Sequence, residues 1–508
     1  MAKYKSYNYS QTVLLPVSLE DQLMPGTIEF AIHTLVEERM DVSRFDERYK
    51  NDESGCKAYD PKMLLKVVLL AYARGINTSR KIEKACRENV VFMALSCRQE
   101  PDHSTIAAFV SRMKEEIKPL FRDVLLVCEE MNLLGGTEFS LDGCKLPSNA
   151  SPRWSGTFAT LQRKKEKLER RVASLVEAHV AADRTEGRDG SEETRKAKQV
   201  EKLKRQAVRI EEFLKENKPK PGKQVKEVQS NVTDNESAMM TTTHGTIQGY
   251  NGQALIDAKH QIIVEGEVFG WGQDHHHLEP VVNGAQRNME SIGRGDDYFE
   301  GAILTADTAY HSGESIMKCE EEGIDAYIPD KDFRKRHPDL EVKKTSIQQR
   351  RRKFRLEDFR YDAGTNVYEC PMGKQLTPQT ATIKASGGLV YRRYRAEARD
   401  CEACSMREGC ISNKGKRGKR KCLMIQVASA GRNHSQEMAA KMDTDRGREI
   451  YPHRMKIVEP VFANIRTQKR LDRFTLRGKI KVNIQWLLYC MVHNIEKIVH
   501  CGPELAVG

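Results

Sequence analysis

Hydrophobic and polar positions divide the chain into segments of different period. In 28–130 apolar residues recur at helical spacing, and the segment reads as all-helical. Asp60 followed by Pro61 predicts a helix start, with Asp as N-cap and Pro at the first helical position. That helix, MLLKVVLLAYARG, is expected to stop at Gly75, and Asn77, Thr78 and Ser79 offer caps for the next, SRKIEKACREN. Asp102-His103-Ser104 opens a third, TIAAFVSRMKEEIKPLFRDVLL, read as one continuous helix. Short helices joined by tight turns resemble a helix-turn-helix arrangement, although a docking bundle has the same pattern. Residues 1–27 read as an extended N-terminal arm.

The period changes at EFSLDGCKLPS, where Phe139 and Leu141 alternate with Ser140 and Asp142. This predicts a strand ending in a carboxylate. Residues 157–227 return to helical period amid dense charge, with Leu161, Leu168, Val172, Leu175 and Val176 in one arm. Val200, Leu203, Val208, Ile210 and Leu214 fall in the other. An inserted antiparallel helical hairpin is the simplest reading, its charges forming a solvated face or following DNA. TIQGYNGQALIDAKHQIIVEGEVFG predicts two strands joined at DAKHQ, and 278–290 suits a helix. GAILTAD predicts a buried strand ending at Asp307, followed by a helix (GESIMKCEEEG) and a short strand (DAYIP), an α/β pattern. Residues 331–446 read as basic and irregular. Residues 447–500 turn helical, ending in the core-packing run IQWLLYCMVHNIEKIV. No fixed-period repeat is present.

Charge narrows the function classes. Lys and Arg number 84 against 72 Asp and Glu, a net charge of +12 over 508 residues. A folded chain with basic surfaces suits a polyanion, most simply nucleic acid. No run of about 18 apolar residues exists to span a membrane, and the opening MAKYKSYNYS lacks a signal-peptide core. A cytoplasmic protein is therefore expected, whose 13 cysteines do not form a disulfide framework.

Two strand-end aspartates, Asp142 and Asp307, call for a third acid if they serve phosphodiester chemistry, which uses Mg²⁺ or Mn²⁺ held by carboxylates. Five blocks supply a context. The segments YDPKMLLKVVLLAYARGINTSRKIEKACREN with PDHSTIAAF, FSLDGCKLPSNAS, GYNGQALIDAKHQIIVEGEV, ILTADTAYHSGESI and RMKIVEPVFANIR occur in that order. Together they resemble a DDE-superfamily transposase of a bacterial insertion sequence.

The resemblance implies an α/β fold: a ribonuclease H-like mixed sheet with helices over 138–330 and 447–500. A helix-turn-helix-like DNA-binding domain over 28–130 precedes it, and the hairpin at 157–227 and a basic cysteine-bearing insertion at 331–446 interrupt it. It gives Asp142, Asp307 and Glu459 the catalytic, metal-holding roles. It implies binding of terminal inverted repeats in double-stranded DNA, hydrolysis to free a 3′-hydroxyl, strand transfer into target DNA, and a homo-oligomer that synapses two ends.

The third block departs from the family pattern of Tyr, Arg, Glu and Lys. Here Tyr451, Arg454, Glu459 and Arg466 stand in those places, with four residues between Arg454 and Glu459 where many relatives have three. Pro460 disfavours helix at Glu459, so a helix start or a kink is expected there. Beyond it, Phe462, Ala463 and Arg466 fall on the face of Glu459. Arg454, Lys456 and Arg466 are candidate phosphate contacts, as are Arg350, Arg351 and Arg352 and, in a second basic run, Lys416 and Arg417.

Cys370, Cys401, Cys404 and Cys410 give C-x30-C-x2-C-x5-C, a candidate structural Zn²⁺ site, with Cys422 able to replace either distant cysteine. Reduced thiols in a basic loop are the competing reading. His275, His276 and His277 read as a loop without a metal role, and Tyr310 and His311 as candidates to position DNA. Two further functions stay open: a catalytically silent DNA-binding derivative, and a ribonuclease H-like nuclease without strand transfer.

Overall fold

A computed structural model describes residues 18–502 apart from 50–56, 183–189, 223–226, 243–244, 338–353, 355, 385–388, 412–418 and 430–432. Most of the N-terminal arm, and Arg350, Arg351, Arg352, Lys416 and Arg417, lie outside the described residues. Among the described residues no helix is long and apolar enough to cross a membrane. The chain is mixed α/β and forms two compact units, 1–302 with 454–508, and 303–453.

The first unit opens with helices whose starts follow local chemistry. The Asp60 carboxylate accepts the Lys62 amide at 2.7 Å and Pro61 leads the helix Pro61–Ala73, whose exit uses Gly75 at φ +68°. Asp102 caps His103–Ser111 through the Ser104 and Thr105 amides. The continuous helix expected from Asp102 onward is broken: His103–Ser111 ends, and Ile117–Glu130 begins after a turn. In that turn Glu116 is drawn into an ion pair with Arg48.

A sheet follows. Strand β1 (Glu138–Pro147) leads into β2 (Ala238–Thr242), β3 (Gly245–Asp257) and β4 (Ile263–Phe269), and β3 pairs antiparallel with each of the others. The two-strand reading of 246–270 matches β3 and β4. β1 does not end at Asp142. The thirteen-residue β3 carries the ladder past Asp142↔Ala254 to Pro147↔Gly249, so Asp142 stands mid-strand.

Inserted after β1 are the hairpin helices Phe158–Ala182 and Gly190–Glu216. Their core joins Leu161, Ile210, Phe213 and Val232, with Leu168 and Leu214 packed alongside. Val176 and Val208 are exposed instead, because a two-helix seam buries only a narrow stripe. The long C-terminal helix Lys479–Cys501 lies under the sheet. There Gly252 and Gly266 let the Trp486 ring approach to within 3.3 Å of where a Cβ would stand, and Trp486 donates its indole N–H to the Gln253 carbonyl at 2.9 Å.

In the second unit β5 (Ile303–Ala306) and β6 (Asp325–Tyr327) run parallel, linked by the helix Gly313–Glu321. The segment expected to be irregular holds a five-stranded antiparallel sheet: β7 (Arg360–Asp362), β8 (Val367–Glu369), β9 (Gln375–Lys384), β10 (Leu389–Ala396) and β11 (Cys422–Ser429). Its apolar positions are sparse, and five buried residues, Phe359, Leu376, Tyr394, Ala396 and Leu423, form its core. So few apolar positions give little periodic signal.

Candidate active site

Asp142 of β1 and Glu459 come from opposite ends of the chain and line one open cleft of about 670 Å³. Gly143, Cys144, Phe462, Ala463, Arg466 and Thr467 complete much of its wall. The expectation that Phe462, Ala463 and Arg466 share the face of Glu459 holds in this wall.

Asp142 is oriented from two sides. Its Oδ1 accepts the Gly143 amide at 2.8 Å, and its Oδ2 accepts a hydrogen bond from Arg454 Nη2 at 2.8 Å. The Arg454 side chain is 13% exposed, so this cation is committed to Asp142 rather than presented to a duplex, as its candidate phosphate role required. A Cβ at position 143 would stand 2.1 Å from Gln253 Nε2, so any other residue there obliges the Gln253 side chain to move. Burial pushes the neighbouring Cys144 thiol up to about 11, against the opposing pull of Arg466, so it is a neutral wall group.

Glu459 lies inside the helix His453–Ala463, which continues through Pro460, where a helix start or kink was expected. Proline at 460 cannot donate to the carbonyl of Lys456, four residues back. Gln261, in the turn between β3 and β4, fills the vacancy: its Nε2 donates to Lys456 O at 2.9 Å. That turn residue sits at φ +61°, and its Oε1 and carbonyl also accept from Lys497 Nζ (2.8 Å) and pair with His493 Nε2 (2.9 Å) on the C-terminal helix. Tertiary contacts thus override the local rule. Phe462 then stacks on Trp486, ring centroids 6.3 Å apart, tying this helix to the C-terminal one.

After Ala463 the helix widens into a π-turn, Asn464–Gln468, that carries Arg466 and Thr467 to the cleft. Lys469 closes this turn fully buried, its ammonium held by Glu496 and by Asn464 Oδ1. Arg466 is exposed at the cleft, and Lys456 is exposed on the same helix.

Asp307 belongs to the second unit. It immediately follows β5 and caps the turn Thr308–Tyr310 by accepting the Ala309 amide at 2.8 Å. Here the strand-end expectation holds. Tyr310 is 1% exposed and His311 Nδ1 pairs with the Ile328 carbonyl at 2.8 Å, so Tyr310 has no surface to offer DNA and His311 is committed to the backbone. His277, buried, stacks on Phe269 at 4.1 Å, and the histidine run is indeed a turn ahead of the helix Leu278–Ser291.

Cys370, Cys401 and Cys410 pack against the core of the five-stranded sheet. Cys370 opens a tight turn in which Gly373 donates to its carbonyl, and the Lys374 amide points at its Sγ at 3.4 Å. The Lys421 amide does the same to Cys401 Sγ at 3.4 Å. Burial raises the Cys410 thiol, with added pressure from Cys401, Cys370 and Cys404 nearby. Cys422 is exposed at the start of β11. Among the described residues no group of three or more His, Cys, Asp or Glu is arranged to hold a metal ion.

Sequence reasoning missed Gln261, Lys469 and the cleft residues Arg470 and Asp472. Gln261 could have been sought as the partner of a carbonyl orphaned by Pro460, but no local pattern says which residue supplies it.

Two family models match the chain. One, a transposase domain of the DUF772 type, covers residues 17–112, the helical N-terminal region. The other, a transposase DDE domain, covers residues 369–499, from the first clustered cysteine through Glu459 into the C-terminal helix. No curated protein matches the chain.

Proposed function

From a chain whose two family matches are those of an insertion-sequence DDE transposase, we propose an enzyme that binds the terminal inverted repeats of its element, cleaves DNA there, and joins the freed 3′-ends to target DNA. Asp142, Asp307 and Glu459 are its catalytic acids, on a ribonuclease H-like core. The observation that carries the reading is the shared cleft: Asp142 and Glu459 line it together with Arg466. The helices of 28–130 grip the repeat, and a homo-oligomer holds two ends together.

Asp142, Asp307 and Glu459 are the residues that would hold Mg²⁺ or Mn²⁺, hard ions that take oxygen ligands. Held by these acids, such an ion would make the attacking water or 3′-hydroxyl more acidic and stabilise charge on the leaving oxygen. The chain's own groups do the rest. Arg454 and the Gly143 amide fix the Asp142 carboxylate, and a fixed carboxylate loses less on reaching its working geometry. Arg466, exposed at the cleft, grips a phosphate oxygen and holds the strand in line. Cys144 and Phe462 give the cleft an uncharged stretch of wall, so its field comes from the carboxylates Asp142, Glu459 and Asp472 and the cations Arg466 and Arg470.

Zinc is the second metal of the proposal. Cys370, Cys401, Cys404 and Cys410 would hold it, and the sulfurs of Cys370 and Cys401 each face a backbone amide, the arrangement that steadies metal-bound thiolates.

Strand transfer separates this function from a plain nuclease. Purified protein is given a pre-cleaved end from the flanks of its own gene, a supercoiled target and Mg²⁺ or Mn²⁺. Joined product is expected. Nicking of uncleaved ends with no joining would reassign the protein as a nuclease.

A further inference from the structure

At the base of the hairpin a second concavity, about 440 Å³, is lined by Trp154, Lys202, Arg205, Gln206 and Arg209. Its size falls within the roughly 300–1,000 Å³ of ordinary ligand sites. No lining residue is acidic. Lys202, Arg205, Gln206 and Arg209 recur at helical spacing on Gly190–Glu216, so one face of that helix delivers all three cations to one place.

Trp154 makes the wall rigid. One side of it packs on the hairpin core of Leu161, Ile210, Phe213 and Val232. Its amide donates to Ser151 O at 3.0 Å and its carbonyl accepts from Val232 at 3.1 Å. Two cations rest on its ring: Lys164 Nζ at 5.0 Å and Arg209 Cζ at 5.6 Å from the centroid. The indole quadrupole holds both, yet the two repel each other. Lys164 is partly desolvated, which depresses its affinity for a proton. Elsewhere on the hairpin lysines are neutralised by neighbours, as Lys165 is by Glu169 and Glu211 at 3.5 and 3.4 Å. Around Trp154 only Arg205 has such a mate, the exposed Glu201 at 2.6 Å among the described residues. An anion entering this pocket would relieve the repulsion and pair with three cations on a fixed floor.

We propose that this pocket binds the phosphodiester backbone of the DNA substrate, with Lys202, Arg205 and Arg209 as phosphate contacts and Trp154 as the residue that positions Arg209. The pocket rests on the reading of the chain as a DNA-handling transposase, and it makes the hairpin a DNA arm rather than a spacer.

The full-length chain, its Lys202 and Arg209 replaced by Gln (K202Q/R209Q), is titrated against a labelled duplex between 50 and 200 mM salt. A Trp154→Ala chain and a control Lys167→Gln chain run alongside, and circular dichroism checks that helicity is kept. Each phosphate contact contributes about 0.9 to the slope of log K against log salt. K202Q/R209Q is expected to lose about 1.8 from the slope and at least tenfold in affinity at 50 mM. Trp154→Ala is expected to keep the slope nearly intact but weaken binding several-fold, and Lys167→Gln to match wild type. An unchanged slope in K202Q/R209Q overturns the proposal. So does an unchanged slope with a shift in oligomeric state, which would assign the pocket to a second copy of the chain. If wild type joins ends while the variant's slope is unchanged, the pocket alone fails. If the slope falls but no cleavage or joining is ever seen, the catalytic reading alone fails.

Discussion

Gln261→Ala tests how the structure keeps Glu459 in a helix that Pro460 should interrupt. The substitution removes two side-chain hydrogen bonds, Nε2 to Lys456 O at 2.9 Å and Lys497 Nζ to Oε1 at 2.8 Å. A neutral bond contributes about 1 kcal/mol net and one to a charged group about 1.5–3 kcal/mol. Water reaches both sites, so about 2 kcal/mol is expected for the pair. The positive φ at 261 costs Gln and Ala alike and drops out of the comparison. Pro460→Ala supplies the missing donor, since an amide at 460 can bond Lys456 O itself. In that background Gln261→Ala should cost about 1 kcal/mol less, a coupling that a double-mutant cycle reads directly. All three tryptophans, 154, 271 and 486, lie in the first unit, so denaturant unfolding followed by their fluorescence reports the unit that matters. Cleavage should fall as well, because a 1 Å drift of a catalytic group costs on the order of a hundredfold. An equal cost of Gln261→Ala with Pro and with Ala at 460 would mean that Gln261 does not stand in for the missing amide.

Three further predictions concern groups the fold commits. Glu265 is fully buried on β4, where burial pushes its carboxyl up to about 7 from 4.5, with Asn288 Nδ2 donating to it at 2.6 Å. Below pH 4.5 both states are protonated; between 4.5 and 7 the unfolded chain ionises first, so stability falls as pH rises, by about 3 kcal/mol in all. Glu265→Gln should flatten that loss, seen as a smaller drop in Tm from pH 5 to pH 8; a wild-type Tm that does not fall over this range contradicts it. Glu496→Ala leaves the buried Lys469 ammonium without its carboxylate and should cost about 3–5 kcal/mol in denaturant unfolding, with Glu496→Gln milder. Protein purified without chelator should carry about one Zn²⁺ per chain, and Cys401→Ser or chelation should lower the Tm of the second unit; metal-free protein with an unchanged melt would make the four cysteines plain thiols.

Much of the framework was legible because it is local. Caps at Asp60 and Asp102, the paired strands around DAKHQ, the hairpin and the strand leading to Asp307 each follow from residues within a few positions. What escaped was set at a distance. Asp142 looked like a strand end because Gly143 follows it, yet the long ladder of β3 carries the strand onward, and Gly143 leaves room for the Gln253 side chain. Pro460 looked like a boundary because its rescuer, Gln261, sits almost two hundred residues away. The five-stranded sheet hid in a basic segment because its core is only five buried residues. Arg454 looked like a DNA contact until the fold placed it on Asp142.

In the function proposed above, Asp142, Asp307 and Glu459 work as one set. The most direct test is cleavage of a labelled element end with Mg²⁺ or Mn²⁺, comparing wild type with Asp142→Ala, Asp307→Ala and Glu459→Ala under conditions where each still binds the end. Each substitution should abolish product while binding persists. Product that survives Glu459→Ala or Asp307→Ala would contradict the assignment of that acid, and product that survives all three would contradict the account.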